Sequence, residues 1–188
     1  MSALLIILAL IVGVPLLIIL FVIGVYNALI RKRIRCREAW SQIDVQLKRR
    51  YDLIPNLVET VKGYAAHERE TLEAVIQARN AAIAASGVKE QADAENMLTG
   101  ALRQLFAVAE RYPNLKASTN FLALQKELAN TEDRIQAARR FYNANARDLN
   151  TRVHVFPSNL VAAVFAFKDE EFFEIEQASA RAAPGVNI

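Results

Sequence analysis

Two histidines, one cysteine and a few grouped carboxylates are the residues of this chain best suited to chemistry. His67 and Glu68, within "GYAAHERETL", have the order that opens a zinc-protease helix. That motif needs a second histidine four residues after the first, so that two imidazoles share one helix face around the metal. Position 71 is Thr, and His154 belongs to no local motif, so no zinc site is expected. Nucleophilic catalysis fares no better. There is no Gly-x-Ser-x-Gly elbow, and Cys36 has no histidine near it in sequence. The arginines around Cys36 could lower its pKa, yet a spectator thiol is the simpler reading. Glu68 with Glu70, and Asp169 with Glu170 and Glu171, read as solvated faces and tips. No two glycines lie close enough to form a phosphate-binding loop. The expectation is a protein without catalytic residues, metal or cofactor.

Two further features need an account. Lys48, Arg49 and Arg50 form a basic triplet. On a helix it lies about 16 Å beyond Arg37, further than the screening length of about 8 Å at physiological salt. Bridges to acidic residues of another helix or a partner are therefore favoured over lipid headgroups. Pro55 sits in a helical pattern, where it removes a donor and costs about 3 kcal/mol. The apolar stripe stays in phase across it, from Leu47 and Ile54 to Leu57 and Val61. A kink is expected there, not a reversal.

These residues depend on the elements that carry them. Residues 1–30 contain no charged side chain, and the run exceeds the roughly 20 residues a helix needs to cross a bilayer. Without a basic start or a small-residue cleavage site, it reads as an uncleaved single-span anchor and not a signal peptide. Arg31, Lys32, Arg33, Arg35 and Arg37 follow at once. This one-sided flank places the C-terminal body in the cytoplasm and the N-terminus outside, and it can hold anionic headgroups. With those five of the 23 basic residues set aside, 18 face 20 acids, so the remainder carries −2. That balance excludes a basic nucleic-acid binder. A lone cysteine excludes an internal disulfide.

Beyond the anchor the pattern is helical. Trp40, Ile43, Leu47, Ile54, Leu57, Val61 and Tyr64 step by three, four or seven, and Leu72, Val75, Arg79 and Ala82 prolong the stripe. One helix over about residues 25–85, about 90 Å long, is predicted. "SGVKE" is its first credible stop. A second helix spans about residues 90–111, on Leu98, Leu102 and Leu105, until "RYPNLK" breaks it at Pro113. The third starts near residues 118–120 and ends before Pro157. Phe121, Leu128, Ile135, Tyr142 and Leu149 recur along it every seven residues, as in a coiled coil. A short fourth helix follows in "PSNLVAAVFAF". The fold class expected is all-α: a transmembrane helix continuing into an elongated antiparallel bundle of three long helices and a short fourth.

Four strings carry a resemblance: "AWSQIDVQLKRRYDLIPNLVETVKGYAAHE", "VAERYPNLKAS", "LQKELANTEDRIQAARRFYN" and "FPSNLVAAVFAF". Together they are similar to the signatures of the LemA family, small bacterial membrane proteins, over residues 26–173. Ala166 departs from the pattern, which has Gly there, and is expected only to straighten the turn. The resemblance implies a single N-terminal span, an outside N-terminus, an all-helical bundle, and no established catalytic residues, and the span is expected in the bacterial inner membrane. It also implies an association with a membrane zinc metalloprotease and envelope-stress signalling. Asp44, Asn56, Arg139 and Asn143, polar residues of these strings, and Asn150 between the last two strings, lie beside apolar seams. They read as inter-helix contacts that fix the packing, with a partner groove as the alternative and an Asp44–Arg139 pair as the specific expectation.

The organisation expected is therefore an anchor at residues 1–30, a basic flank at 31–37, a bundle domain at 38–176 and a disordered tail at 177–188. The function expected is a membrane-tethered scaffold or adaptor that self-associates. Its partners would be the bilayer, further copies of the chain and a second membrane protein.

Overall fold

Long apolar stripes with few breaks produce helices, and the computed structural model, which describes residues 2–174 and side chains from residue 10, contains six of them and no strand among the described residues. In chain order these are α1 (Ser2–Lys62), α2 (Arg69–Ala84), α3 (Val88–Ala109), α4 (Pro113–Lys116), α5 (Thr119–His154) and α6 (Ser158–Val164). The architecture is an all-α helical bundle. Near its N-terminus α1 is long and apolar enough to cross a membrane, and its large apolar side chains from Leu10 to Ile23, half-buried Val22 apart, are exposed. The expected tail lies outside the described residues.

The first helix ends earlier than its periodicity suggested. The single helix predicted over residues 25–85 is two, because α1 stops at Lys62 and α2 begins at Arg69. Gly63, a poor helix former by about 1 kcal/mol, follows the last helical residue. The Tyr64 and Ala65 amides both turn back to the Val61 carbonyl, at 3.0 and 2.8 Å, and tighten the final turn. The stripe runs through this break unbroken: Val61, Ala65, Leu72 and Val75 are all buried. A chain that reverses while keeping one face inward shows the same spacing as one that continues. Tyr64, assigned to the stripe, is instead exposed. The bundle thus has four substantial helices, α1, α2, α3 and α5, and two short ones. Across Pro55 α1 is unbroken.

The later boundaries follow local chemistry. At the α2–α3 turn Gly87 has φ of +89°, a left-handed backbone that glycine adopts without strain. The Glu90 carboxylate accepts hydrogen bonds there from the Ser86 amide and hydroxyl, at 3.1 and 3.2 Å. Pro113 opens α4 at the position where its missing donor costs nothing. Along α5 the five residues at seven-residue spacing are all buried.

The described chain divides into two compact units, residues 2–41 with 141–170 and residues 42–140 with 171–174. In the first, α1 and α5 run antiparallel. Lys32 pairs with Asp148 at 3.0 Å and Trp40 meets Tyr142 edge-on at 5.3 Å. Leu29, Cys36, Ala39, Ala146 and Leu149 fill the interior of this unit. Burial above all, then the nearby Glu170 carboxylate, pushes the Cys36 thiol up to about 11, so the cysteine is an inert core residue. Asn150 ties the C-terminal strap down: its amide donates to the Glu170 carbonyl and accepts from the Glu170 amide, both at 2.9 Å.

The turn after α6 keeps its left-handed residue despite the alanine. Ala166 has φ of +51°, its amide donates to the Ala163 carbonyl at 3.2 Å, and that of Phe167 donates to Ala162 at 2.9 Å. This pair of bonds is a Schellman cap, in which glycine is favoured at the left-handed position. The expected straightening does not occur, because the two bonds and the burial of Phe167 hold the turn. Ala166→Gly should therefore raise unfolding stability by about 1 kcal/mol, the left-handed penalty less glycine's entropy, read as a higher denaturation midpoint of the detergent-solubilised chain.

Candidate functional site

The most polar interior region lies in the second unit, where residues that interrupt apolar stripes meet. On α1 the stripe steps seven residues from Leu47 to Ile54, and Arg50 occupies the place between. On α3 the stripe of Leu98, Leu102 and Leu105, run backwards, falls on Glu95 and Gln91. Arg50 is 4% exposed and Glu95 is 0% exposed. Arg50 Nη1 contacts Glu95 Oε2 at 3.0 Å and Glu132 Oε2 of α5 at 3.2 Å, while Nη2 donates to Thr99 Oγ1 at 2.9 Å. The Tyr51 hydroxyl donates to Glu95 Oε1. Gln91 Nε2 donates to that hydroxyl at 2.9 Å and to the Ala82 carbonyl of α2 at 3.1 Å.

Burial is the largest influence on both acids of this network. It raises the Glu95 pKa, against the opposing pull of Arg50 and the Tyr51 hydrogen bond. It also drives the Tyr51 phenol well above its usual range, reinforced by Glu95. Tyr51 thus stays protonated and serves as a donor. The carboxylate, the guanidinium and the phenol satisfy one another, as a buried polar network must.

Pro55 belongs to the same region. With no N–H, it cannot bond the Tyr51 carbonyl one turn back. Nε of Arg79, from α2, donates to that carbonyl at 2.8 Å. The guanidinium replaces the donor that proline removed. Arg79 reads in the sequence as a polar intruder in the stripe, and its place opposite Pro55 becomes visible only once α2 turns back.

The remaining candidates separate clearly. Of the basic triplet, Arg49 pairs with Glu127 at 2.7 Å, Arg50 is buried as described, and Lys48 is exposed. Of the flank, Lys32 pairs with Asp148 and the Arg33 guanidinium lies 4.2 Å over the Phe167 ring, while Arg31, Arg35 and Arg37 are exposed. Asn56 is exposed, and its carbonyl accepts from Thr60 Oγ1 at 2.7 Å. Asn143 and Asn150 are half-buried in the first unit. Lost hydration alone raises the Asp44 carboxyl, and the charges acting on Arg139, whose pKa burial lowers, are Glu132 and Arg140. His67 is exposed, and its neighbour Glu68 is bound by Arg111 at 3.0 Å and Tyr112 at 3.1 Å. No cluster of three or more histidine, cysteine or acidic residues suited to a metal occurs among the described residues.

A family model described as the LemA family matches residues 39–188. Protein LemA of Metamycoplasma hominis is 32% identical over 144 residues, covering 74% of this chain and 64% of that protein. Magnetosome protein MamQ 2 of Paramagnetospirillum magneticum is 25% identical over 175 residues, and magnetosome protein MamQ of Magnetospirillum gryphiswaldense 24% over 174. Each of these two alignments covers 79% of this chain and 64% of the relative. The chain therefore spans just under two thirds of the length of the curated relatives it matches.

Two measurements probe the network. Arg50→Met leaves Glu95 without its cation and should cost about 3–5 kcal/mol at neutral pH. The deficit should shrink on acidification. A carboxyl whose folded pKa is raised above its unfolded value favours the folded state below the unfolded pKa, and that gain is lost as pH rises through the folded pKa. Arg79→Ala should cost about 1–3 kcal/mol by leaving the Tyr51 carbonyl without a donor. In a Pro55→Ala background the helix amide takes that carbonyl, and the same change should cost clearly less in a double-mutant cycle.

Proposed function

The chain belongs to the LemA family, and from that premise we propose that it is a membrane-anchored helical scaffold or adaptor, acting by assembly and not by catalysis. The observation that carries this reading is the internal use of the reactive groups: Arg50, Tyr51, Gln91 and Glu95 bond one another. Relatives named as differently as LemA and magnetosome protein MamQ favour a packing module over one chemistry. Self-association is supported by Leu122 and Phe141, which α5 leaves exposed beside its buried stripe. The apolar start of α1 and the basic residues that follow support a single span in the bacterial inner membrane, with the body cytoplasmic and the N-terminus outside.

A second reading is a regulatory or substrate-presenting partner of a membrane protease or signalling protein. It is favoured by one contact: Glu68, in the α1–α2 turn, binds Arg111 and Tyr112 after α3. Two exposed turns thus make one polar surface.

Mass measurement of the full chain in detergent tests the first reading. Particles larger than one 21.0 kDa chain are expected, and a strictly monomeric particle would remove self-association. Crosslinking in native membranes tests the second: a captured membrane protein should be lost with Glu68→Ala, and self-contacts alone would count against it. Stoichiometric zinc in the purified protein would overturn the non-catalytic assignment.

A further inference from the structure

Besides the apolar start of α1, the described residues of the first unit leave an apolar surface uncovered around α6. From residue 155 to 167 the chain has no charged side chain, with Arg152 and His154 just before and Lys168 just after. α6 lies within this run. It turns Ser158, Val161 and Ala162 inward. Leu160 and Val164, one helical turn apart, stay 59% and 77% exposed, and Phe156 ahead of them is 74% exposed. Phe165, at the helix end, is also exposed. Contiguous exposed apolar surface of this kind marks a contact with a partner or a membrane.

The packing of Tyr26 identifies the cover. Its ring centroid lies 4.8 Å from Phe165 and 5.9 Å from Phe167. Tyr26 belongs to the apolar run of α1, about 6 Å along the helix before Ile30, and the charges begin at Arg31. Arg33, just beyond, lies over the other side of the same corner at Phe167. The end of α6 is therefore held at the depth where α1 passes from apolar to basic. Tyrosines mark the membrane–water interface at this level. An apolar stretch this short cannot span a bilayer, but it suits an interfacial or re-entrant segment. Its turn is also ready for a dry setting. The Ala166 and Phe167 amides are bonded, and Ser158 Oγ donates to the Arg152 and Val155 carbonyls at 2.7 and 2.8 Å.

We propose that residues 155–167 are a second membrane-contacting element, which inserts Phe156, Leu160, Val164 and Phe165 into the interfacial layer of the bilayer that α1 crosses. The proposal rests on the anchoring of α1. Arg152 before the run and Lys168 at its end sit at the level of the headgroups, while His154 pairs with Asp169 at 2.9 Å and Glu170 and Glu171 follow on the aqueous side; the length of the run limits it to one leaflet.

Single tryptophans in the full chain test this in phosphatidylcholine vesicles. Trp40→Phe removes the native indole, and Phe156→Trp, Leu160→Trp or, as a control in α1, Phe21→Trp supplies a new one. The vesicles carry bromine on the acyl chain either near the headgroup or near the methyl end. Tryptophan at 156 or 160 should emit blue-shifted, lose more intensity to the shallow bromine than to the deep one, and resist aqueous iodide. If 21 is quenched by bromine while 156 and 160 are quenched only by iodide, the interfacial element is overturned and the anchor stands. Protection of 156 and 160 from both quenchers would overturn it in favour of a covering second copy. Loss of bromine quenching at 21 as well would remove the anchor reading and the proposal together.

Discussion

The buried contact between Arg50 and Glu95 is the constraint on which the second unit depends. Taking both charges out of water costs several kcal/mol each, and the attraction between them offsets this only when the geometry is good and the other polar atoms are bonded. Those conditions need more than two residues. Glu132 and Thr99 complete the guanidinium, and Tyr51 and Gln91 complete the carboxylate. The donors and acceptors come from α1, α3 and α5, and Gln91 and Arg79 bring in α2. Apolar stripes alone tolerate many arrangements. A network that is satisfied only when four helices meet in one way does not.

Much of this was legible in the sequence, and the exceptions share a cause. The stops at Pro113 and before Pro157 and the turn at Gly87 are local events, set by residues within a few positions, and the helix boundaries fell close to where those residues place them. The α1–α2 break was hidden because a stripe keeps its phase through a reversal; Gly63 was the available signal. The polar network was hidden for a related reason. Leu47 and Ile54 are seven residues apart, and the turn missing from the apolar stripe between them is Arg50. The apolar stripe of α3 likewise continues at its N-terminal end as the polar Glu95 and Gln91, which an apolar pattern does not contain. Charged residues at core positions of separate helices are a pairing problem, and spacing within one helix does not solve it.

The basic flank shows how one composition can serve two ends. Five charges beside an apolar run suggest lipid and topology. Two of them are also structural, since Lys32 meets Asp148 and Arg33 covers Phe167. Arg31, Arg35 and Arg37 remain exposed. The charges next to the apolar segment of α1 are therefore joined to the α5 and α6 regions of the same unit, which holds the strap after α5 against the point where α1 changes from apolar to polar.

Pro55 gives the second unit something an ordinary helical residue could not. By withholding one N–H, it marks a single carbonyl on α1 as unfinished, and Arg79 is the group that finishes it. Sliding α2 along α1 by one turn, about 5.4 Å, would preserve apolar contact while stranding both the carbonyl and the guanidinium. A residue usually regarded as a defect in a helix thus works as an address, telling the neighbouring helix where on a uniform apolar stripe it belongs.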